Sequence, residues 1–342
     1  ISAGCNIRAQ RISLDFALSR HTRGSHRSPW VKGQPHCVRC SPHKLATGGR
    51  ISMKIGRKTV LTVVSVGVLI SLAIAAFGWR RYVSNRPPAP SEYSIQLASK
   101  MTEASFQSAE AGFRLPYRLH VPPTLQPGRK YPLIVYLHGA GDNGSDNVRQ
   151  VGPIVGDLIS RSNNEAPAFI LAPQAPWGQT WVKVPGPPYL NYSQQELQET
   201  DAIKATRSLV LELPNRYPID TDRLYVIGFS AGAAGSWELL TRTQPQPFAA
   251  GAVLSGAYDP SRAAGVAGMP LWLFHGDQDT VSPYTTTFDT AQALSKSNAA
   301  PRYTLFKGIG HDTGKAAFDE GVYAWLLGQR RSAWDSTKTR TP

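Results

Sequence analysis

The sequence predicts an α/β architecture, a mostly parallel central sheet with helices packed on both of its faces. Three observations predict it. Short, nearly continuous apolar runs of β-type composition recur between residues 115 and 306. Stretches with helical apolar spacing lie between several of these runs. Strands read as unbroken apolar runs when helices cover both sides of a parallel sheet. Finally, the loops that carry glycine beside histidine, serine or aspartate all follow strand ends, where an open α/β sheet presents its site.

The elements follow in order. Residues 1–52 carry nine Lys/Arg, one acid and no apolar period. They are expected to be a basic unstructured extension, either an upstream addition of the gene model or a disordered arm. All three cysteines lie here, so the rest of the chain has neither disulfide nor thiol chemistry. His36, Cys37, Cys40 and His43 imitate a zinc cluster, but four ligands crowded into eight residues lack the second knuckle of a closed site. No metal or other cofactor is expected. Met53-Lys54-Ile55-Gly56-Arg57-Lys58 has the look of a chain start, and residues 59–79 follow without a charge. Residues 53–83 are therefore read as a signal peptide or a signal anchor. Ala73-Ile74-Ala75 offers a cleavage pattern, whereas the apolar length and Arg80-Arg81 favour an anchor. Basic residues weigh toward the N-terminal side, so the domain that follows should face outside the cytoplasmic membrane, anchored or released as a secreted or periplasmic form. Residues 84–92 read as a Pro-rich spacer.

One domain is expected over residues 93–328. Its strands are placed at residues 115–121, 133–137, 168–172, 224–229, 250–254, 271–274 and 303–306, and its helices at 195–213, 233–241, 286–297 and 315–327. Residues 329–342 read as a polar tail without evident role. Residues 92–342 hold 22 basic and 22 acidic residues, so the formal charge of +14 belongs to the N-terminal segments. A neutral domain gives no sign of a nucleic-acid partner.

Gly228-Phe229-Ser230-Ala231-Gly232 sits between the strand-like R-L-Y-V-I and the helix-like A-A-G-S-W-E-L-L. A strand that stops abruptly, a serine on a tight turn and a helix that leaves at once form the context of a G-x-S-x-G nucleophile elbow. An activated serine needs a base and a carboxylate that orients it, and with this elbow both follow the serine in the chain. Only His275 and His311 do. His275 ends an apolar run before Gly276 and reads as the cap of a buried strand. His311, in the glycine-flanked loop K-G-I-G-H-D-T-G, is the candidate base. Asp279, in H-G-D-Q-D-T-V-S-P, is the favoured orienting acid. Asp277 is next, though it could instead be a turn residue bonding its own backbone, and Asp259 is a third candidate. An oxyanion hole needs two backbone amides. Ala231 follows the nucleophile and supplies one. Ala140, in His138-Gly139-Ala140-Gly141 after an apolar strand, supplies the other. Gly139, Trp177 and Trp181 are candidate substrate contacts. Trp177, Trp181 and Tyr189 could form a lid over a substrate or staple their Pro/Gly-rich loop to the sheet.

These motifs give the chain its resemblance. L-P-Y-R-L-H-V-P, Y-P-L-I-V-Y-L-H-G-A-G-D-N-G, A-P-Q-A-P-W-G-Q-T-W, Y-P-I-D-T-D-R-L-Y-V-I-G-F-S-A-G, F-A-A-G-A-V-L-S-G and H-G-D-Q-D-T-V-S-P occur in this order between about residues 104 and 327. This stretch resembles the α/β-hydrolase superfamily, and within it the branch of carboxylesterases, polyhydroxybutyrate-depolymerase-like and feruloyl-esterase-like proteins, some labelled predicted peptidases. The resemblance implies an α/β-hydrolase fold and places the triad acid on Asp279. Many relatives carry Met-Gly-Gly after the serine, where this chain has Ala231-Gly232-Ala233. The amide is kept while the pocket wall loses a bulky thioether, which bears on substrate size. The expectation is a serine carboxylic-ester hydrolase acting on small-molecule or polymer-derived esters without a cofactor. A serine peptidase on the same triad and a non-catalytic binding module of this fold are the alternatives. The sequence does not specify an oligomeric state.

Overall fold

The computed structural model describes residues 89–183, 193, 196–297, 299 and 301–335. The basic extension, its Cys/His cluster, the 59–79 apolar run and Tyr189 lie outside these residues. Among the described residues no helix is long and apolar enough to cross a membrane.

In chain order the elements are α1 (Glu92–Ala98), β1 (Thr102–Gln107), β2 (Arg114–His120), β3 (Tyr131–Leu137), α2 (Pro153–Asn164), β4 (Phe169–Pro173), α3 (Asp201–Glu212), β5 (Ile219–Phe229), α4 (Ala231–Arg242), β6 (Ala250–Leu254), β7 (Leu271–Gly276), α5 (Tyr284–Lys296), β8 (Arg302–Phe306), α6 (Gly314–Asp319), α7 (Val322–Leu327) and α8 (Arg331–Asp335). The sheet runs β1-β2-β4-β3-β5-β6-β7-β8. The β1–β2 and β2–β4 pairs are antiparallel. Every pair from β4–β3 to β7–β8 is parallel.

The apolar runs become strands because both faces of the sheet are covered. All seven residues of β3 are buried. Leu133, Val135 and Leu137 point into one core, Ile134 and Tyr136 into the other. The period of two thus divides one apolar run between two layers. The first core receives Ala202, Ile203 and Leu209 of α3, Leu239 and Leu240 of α4, and Leu294 of α5. The second receives Ile154, Val155 and Leu158 of α2, Phe318 of α6, and Val322, Tyr323 and Leu326 of α7.

The structure departs from the expected elements in six places. β1 was not expected, because its edge-strand burial alternates between exposed and half-buried and leaves no apolar run. Helix α2 was likewise missed. The spacer ends in an N-cap, with Ser91 Oγ accepting from Ser94 N at 3.0 Å, so α1 begins at Glu92. Residues 315–327 form two helices rather than one, separated at Gly321, whose φ is +85°. The stretch read as a polar tail carries α8, which buries Trp334 to 5% exposure in the first core. In addition, α3 starts at Asp201, where Thr200 Oγ1 accepts from Ile203 N, rather than at residue 195.

Candidate active site

Strand β5 ends at Phe229 and α4 begins at Ala231, so Ser230 alone makes the turn. Its φ of 54° and ψ of −119° lie where a non-glycine residue is strained. Neighbouring elements hold it there. Ser230 N donates to Leu254 O of β6 at 2.8 Å, and Ala233 N donates to Ser230 O at 3.0 Å. The flanking glycines are needed for close approach. A Cβ on Gly228 would stand 2.1 Å from Gly232 O, and one on Gly232 would stand 1.9 Å from Leu137 O. Any larger residue would force β3, β5 and α4 apart at the serine.

His311 lies in the loop between β8 and α6. Its Nε2 is 2.9 Å from Ser230 Oγ, and its Nδ1 is 2.7 Å from Asp279 Oδ2. The ring packs against Phe229 with centroids 5.1 Å apart. Asp279 follows β7, and its carboxylate is shielded from solvent. Oδ1 accepts from Val281 N at 2.8 Å and from Ser282 N at 2.9 Å. Burial would raise the pKa of this carboxyl, but the Ser282 amide, the His311 ring and the Val281 amide outweigh it and hold the carboxyl below its ordinary range. An acceptor that stays ionised fixes the proton of His311 on Nδ1 and leaves Nε2 free to accept from Ser230.

The other two acid candidates are committed elsewhere. Asp277 Oδ1 accepts from Gly308 N at 2.7 Å and Oδ2 lies 3.3 Å from Lys307 Nζ, which makes it a clasp between two loops. Asp259 Oδ1 accepts from Ser261 N at 2.9 Å and caps the 3-10 turn of Pro260–Val266.

At the end of β3 the chain passes through His138 and Gly139 into the turn Ala140–Asp142. His138 is buried, and burial lowers its pKa to about 4. The neutral ring donates from Nδ1 to Gly139 O at 2.7 Å and accepts at Nε2 from Ala175 N at 3.0 Å. With the Gly139 carbonyl drawn to His138, the amide of Ala140 in the same peptide plane faces the other way. A Cβ built on Gly139 would be 3.8 Å from Ser230 Cβ, so this loop lies beside the serine. Ala231 is the first residue of α4, and a helix leaves its first amides without internal partners.

Trp181 supports this loop from behind. It is 2% exposed, its Nε1 donates to His138 O at 2.9 Å and its ring lies 4.9 Å from that of His138. Of the two readings of the tryptophans, this geometry fits the staple and offers no face for a lid. Trp177 is different. It is half exposed and lies 5.6 Å from the Arg149 guanidinium. His275, read as a strand cap, is buried against Asp279, with Nε2 3.0 Å from Oδ2. Sequence reasoning missed this contact, since nothing in the spacing says that the ring turns toward the acid loop.

Residues 125–320 match the sequence profile of the phospholipase/carboxylesterase family. The protein NocK of Nocardia uniformis subsp. tsuyamanensis, designated an esterase, is 27% identical over 212 residues, 58% of this chain and 57% of that protein. A crystal structure of a thermostable esterase superposes with a TM-score of 0.61 at 29% identity, covering 69% of this chain and 64% of the other. A puromycin hydrolase shares the fold, with a TM-score of 0.52 at 17% identity over 71% of this chain and 41% of its own. The chain thus spans less than two thirds of the length of these relatives.

Proposed function

Since the chain belongs to the phospholipase/carboxylesterase family and has the α/β-hydrolase fold, we propose that it cleaves carboxylic esters through an acyl-enzyme on Ser230. The observation that carries this reading is the hydrogen-bonded series from Ser230 Oγ to His311 at 2.9 Å and on to Asp279 at 2.7 Å.

Each step then has its group. Ser230 Oγ attacks the ester carbonyl while His311 Nε2 takes the hydroxyl proton. The carbonyl oxygen becomes an alkoxide and is received by the amides of Ala140 and Ala231, donors already fixed before the charge develops. Asp279 stabilises the imidazolium that forms. His311 returns its proton to the departing alkoxide, the C–O bond breaks, and the acyl group remains on Ser230. Water, deprotonated by His311, attacks the acyl carbon, and collapse of the second tetrahedral intermediate releases the acid and restores the serine.

The substrate is a small-molecule or polymer-derived ester, with Gly139 and Trp177 at its rim. Ala231, in place of a bulkier residue, leaves room at the nucleophile. The neutral charge of residues 92–342 supports a substrate other than nucleic acid. The apolar run at 59–79 supports an enzyme working outside the cytoplasmic membrane, anchored or released. The test is kinetic. The full chain should turn over short p-nitrophenyl esters faster than peptide anilides, and Ser230→Ala should abolish ester turnover without loss of folded structure. Peptide cleavage exceeding ester cleavage would turn the reading toward a peptidase. Absence of any turnover across esters and peptides would turn it toward a binding module.

A further inference from the structure

Strand β7, which leads into the acid loop, carries a second histidine that the proposed chemistry does not use. His275 is the penultimate residue of β7, with its ring out of solvent. Its Nε2 lies 3.0 Å from Asp279 Oδ2 and 2.8 Å from Ser282 O. Both neighbours can only accept, so Nε2 carries a proton and shares it between them. Its Nδ1 lies 2.6 Å from Thr287 Oγ1 of α5. Burial favours the neutral ring and outweighs the pull of Ser282 O and Asp279 toward the charged one. In the neutral ring Nδ1 is an acceptor, so the Thr287 hydroxyl, which also lies 3.1 Å from Gly256 O, gives its proton to the nearer Nδ1. Thr287 in turn is hydrogen-bonded to the hydroxyl of Tyr258, which is buried and un-ionised.

Asp279 Oδ2 therefore stands between two imidazoles, accepting from His275 Nε2 on one side and from His311 Nδ1 on the other. The ionisable groups acting on His275 are Asp279 and His311. No other charged side chain is recorded against it among the described residues.

We propose that His275 is a positioning residue: as a neutral donor fixed by Thr287, it pins Asp279 Oδ2 and withdraws part of its negative charge, which sets how strongly the acid holds the imidazolium of His311. This rests on the Ser230–His311–Asp279 reading. Two consequences separate it from mere packing. A carboxylate that loses one of its donors is a stronger acceptor for the other, so the imidazolium would persist to higher pH. With Oδ1 still held by the Val281 and Ser282 amides, a carboxylate that loses this donor on Oδ2 also orients His311 less firmly, which affects the chemical step and not substrate binding.

The experiment measures kcat and KM against pH on the full chain, with a p-nitrophenyl ester, for wild type, His275→Phe, His275→Gln, Thr287→Val and Ser230→Ala. Gln can place an N–H donor near the position of Nε2, whereas Phe cannot. His275→Phe should lower kcat about tenfold, the worth of one hydrogen bond to a charged group, with KM little changed. The acid limb of its kcat/KM profile should move up by roughly half a unit to one unit. His275→Gln should recover most of both effects. Thr287→Val, which keeps the ring but removes the donor to Nδ1, should move the limb in the same direction by less. A folded His275→Phe with the wild-type kcat and limb position overturns the proposal, as does a Gln variant no better than Phe. If His275→Phe does not fold, an unmoved limb in Thr287→Val overturns it. Residual activity in Ser230→Ala would instead strike the triad reading beneath it, whatever the histidine variants do.

Discussion

Ser230 occupies a strained backbone conformation and shares one chain of hydrogen bonds with His311 and Asp279, so single atoms there have large consequences. Asp279→Asn replaces an acceptor by an amide that cannot hold the Nδ1 proton. It should cut kcat on the order of 10⁴-fold, while Asp277→Asn, which loosens only a loop clasp, should cost far less; steady-state kinetics on the two variants decide between the carboxylates. Asp142 offers a test by pH. Burial pushes its pKa up to about 6, against the opposing charge of Arg149 and with help from Asp146. The unfolded chain ionises this group near 3.9, so the folded state binds the extra proton and loses stability as pH rises from about 4 to 6. Asp142→Asn should remove that loss and stabilise the protein at pH 8 by on the order of 1–2 kcal/mol, read from urea denaturation at pH 4 and pH 8. Ser230, His311 and Asp279, which the structure brings into one hydrogen-bonded series, were legible as candidates because each sits in a glycine-marked loop after an apolar run and in a fixed order. His138 and His275 look alike in sequence, each closing a strand before a glycine. Their contacts, His138 holding the loop after β3 and His275 touching Asp279, run across the fold where no local pattern records them.

At the scale of elements, the site is assembled where four strand ends meet. β3 brings Ala140, β5 brings Ser230, β7 brings Asp279 and β8 brings His311. β3, β7 and the second half of β5 were readable since burial on both faces makes them apolar without interruption, while β8, half-buried at the sheet edge, showed only as the short run at residues 303–306. β1 was not readable because an edge strand with one solvated face carries polar residues in turn. Helix α8 was hidden for a related reason. Its five residues offer a single apolar anchor, Trp334, inside a polar stretch. That anchor should matter. Trp334→Ala opens a cavity in the first core and should lower stability by about 3–5 kcal/mol, a drop in Tm on the order of 10 °C for a domain of this size, measured by calorimetry or circular dichroism. Ester turnover at low temperature should be retained, since α8 supplies nothing to the four loops.

For the whole molecule, the formal charge belongs to the N-terminal segments, on which the proposed location rests, while the proposed chemistry belongs to the domain that follows. If residues 59–79 anchor the chain, the enzyme should remain with membranes through a high-salt wash, because apolar insertion is not screened by salt while surface attraction is. Recovery of the enzyme in the wash would contradict an anchor, and an N-terminus at Ala76 would identify cleavage instead. The central claim, an acyl-enzyme on Ser230, is tested most directly by mass spectrometry of the full chain after reaction with a fluorophosphonate. The account predicts one adduct per chain, located by peptide mapping on Ser230, with loss of esterase activity in proportion and no adduct on Ser230→Ala. Labelling of the Ser230→Ala variant to the same extent, or full esterase activity in chains labelled at Ser230, would contradict it.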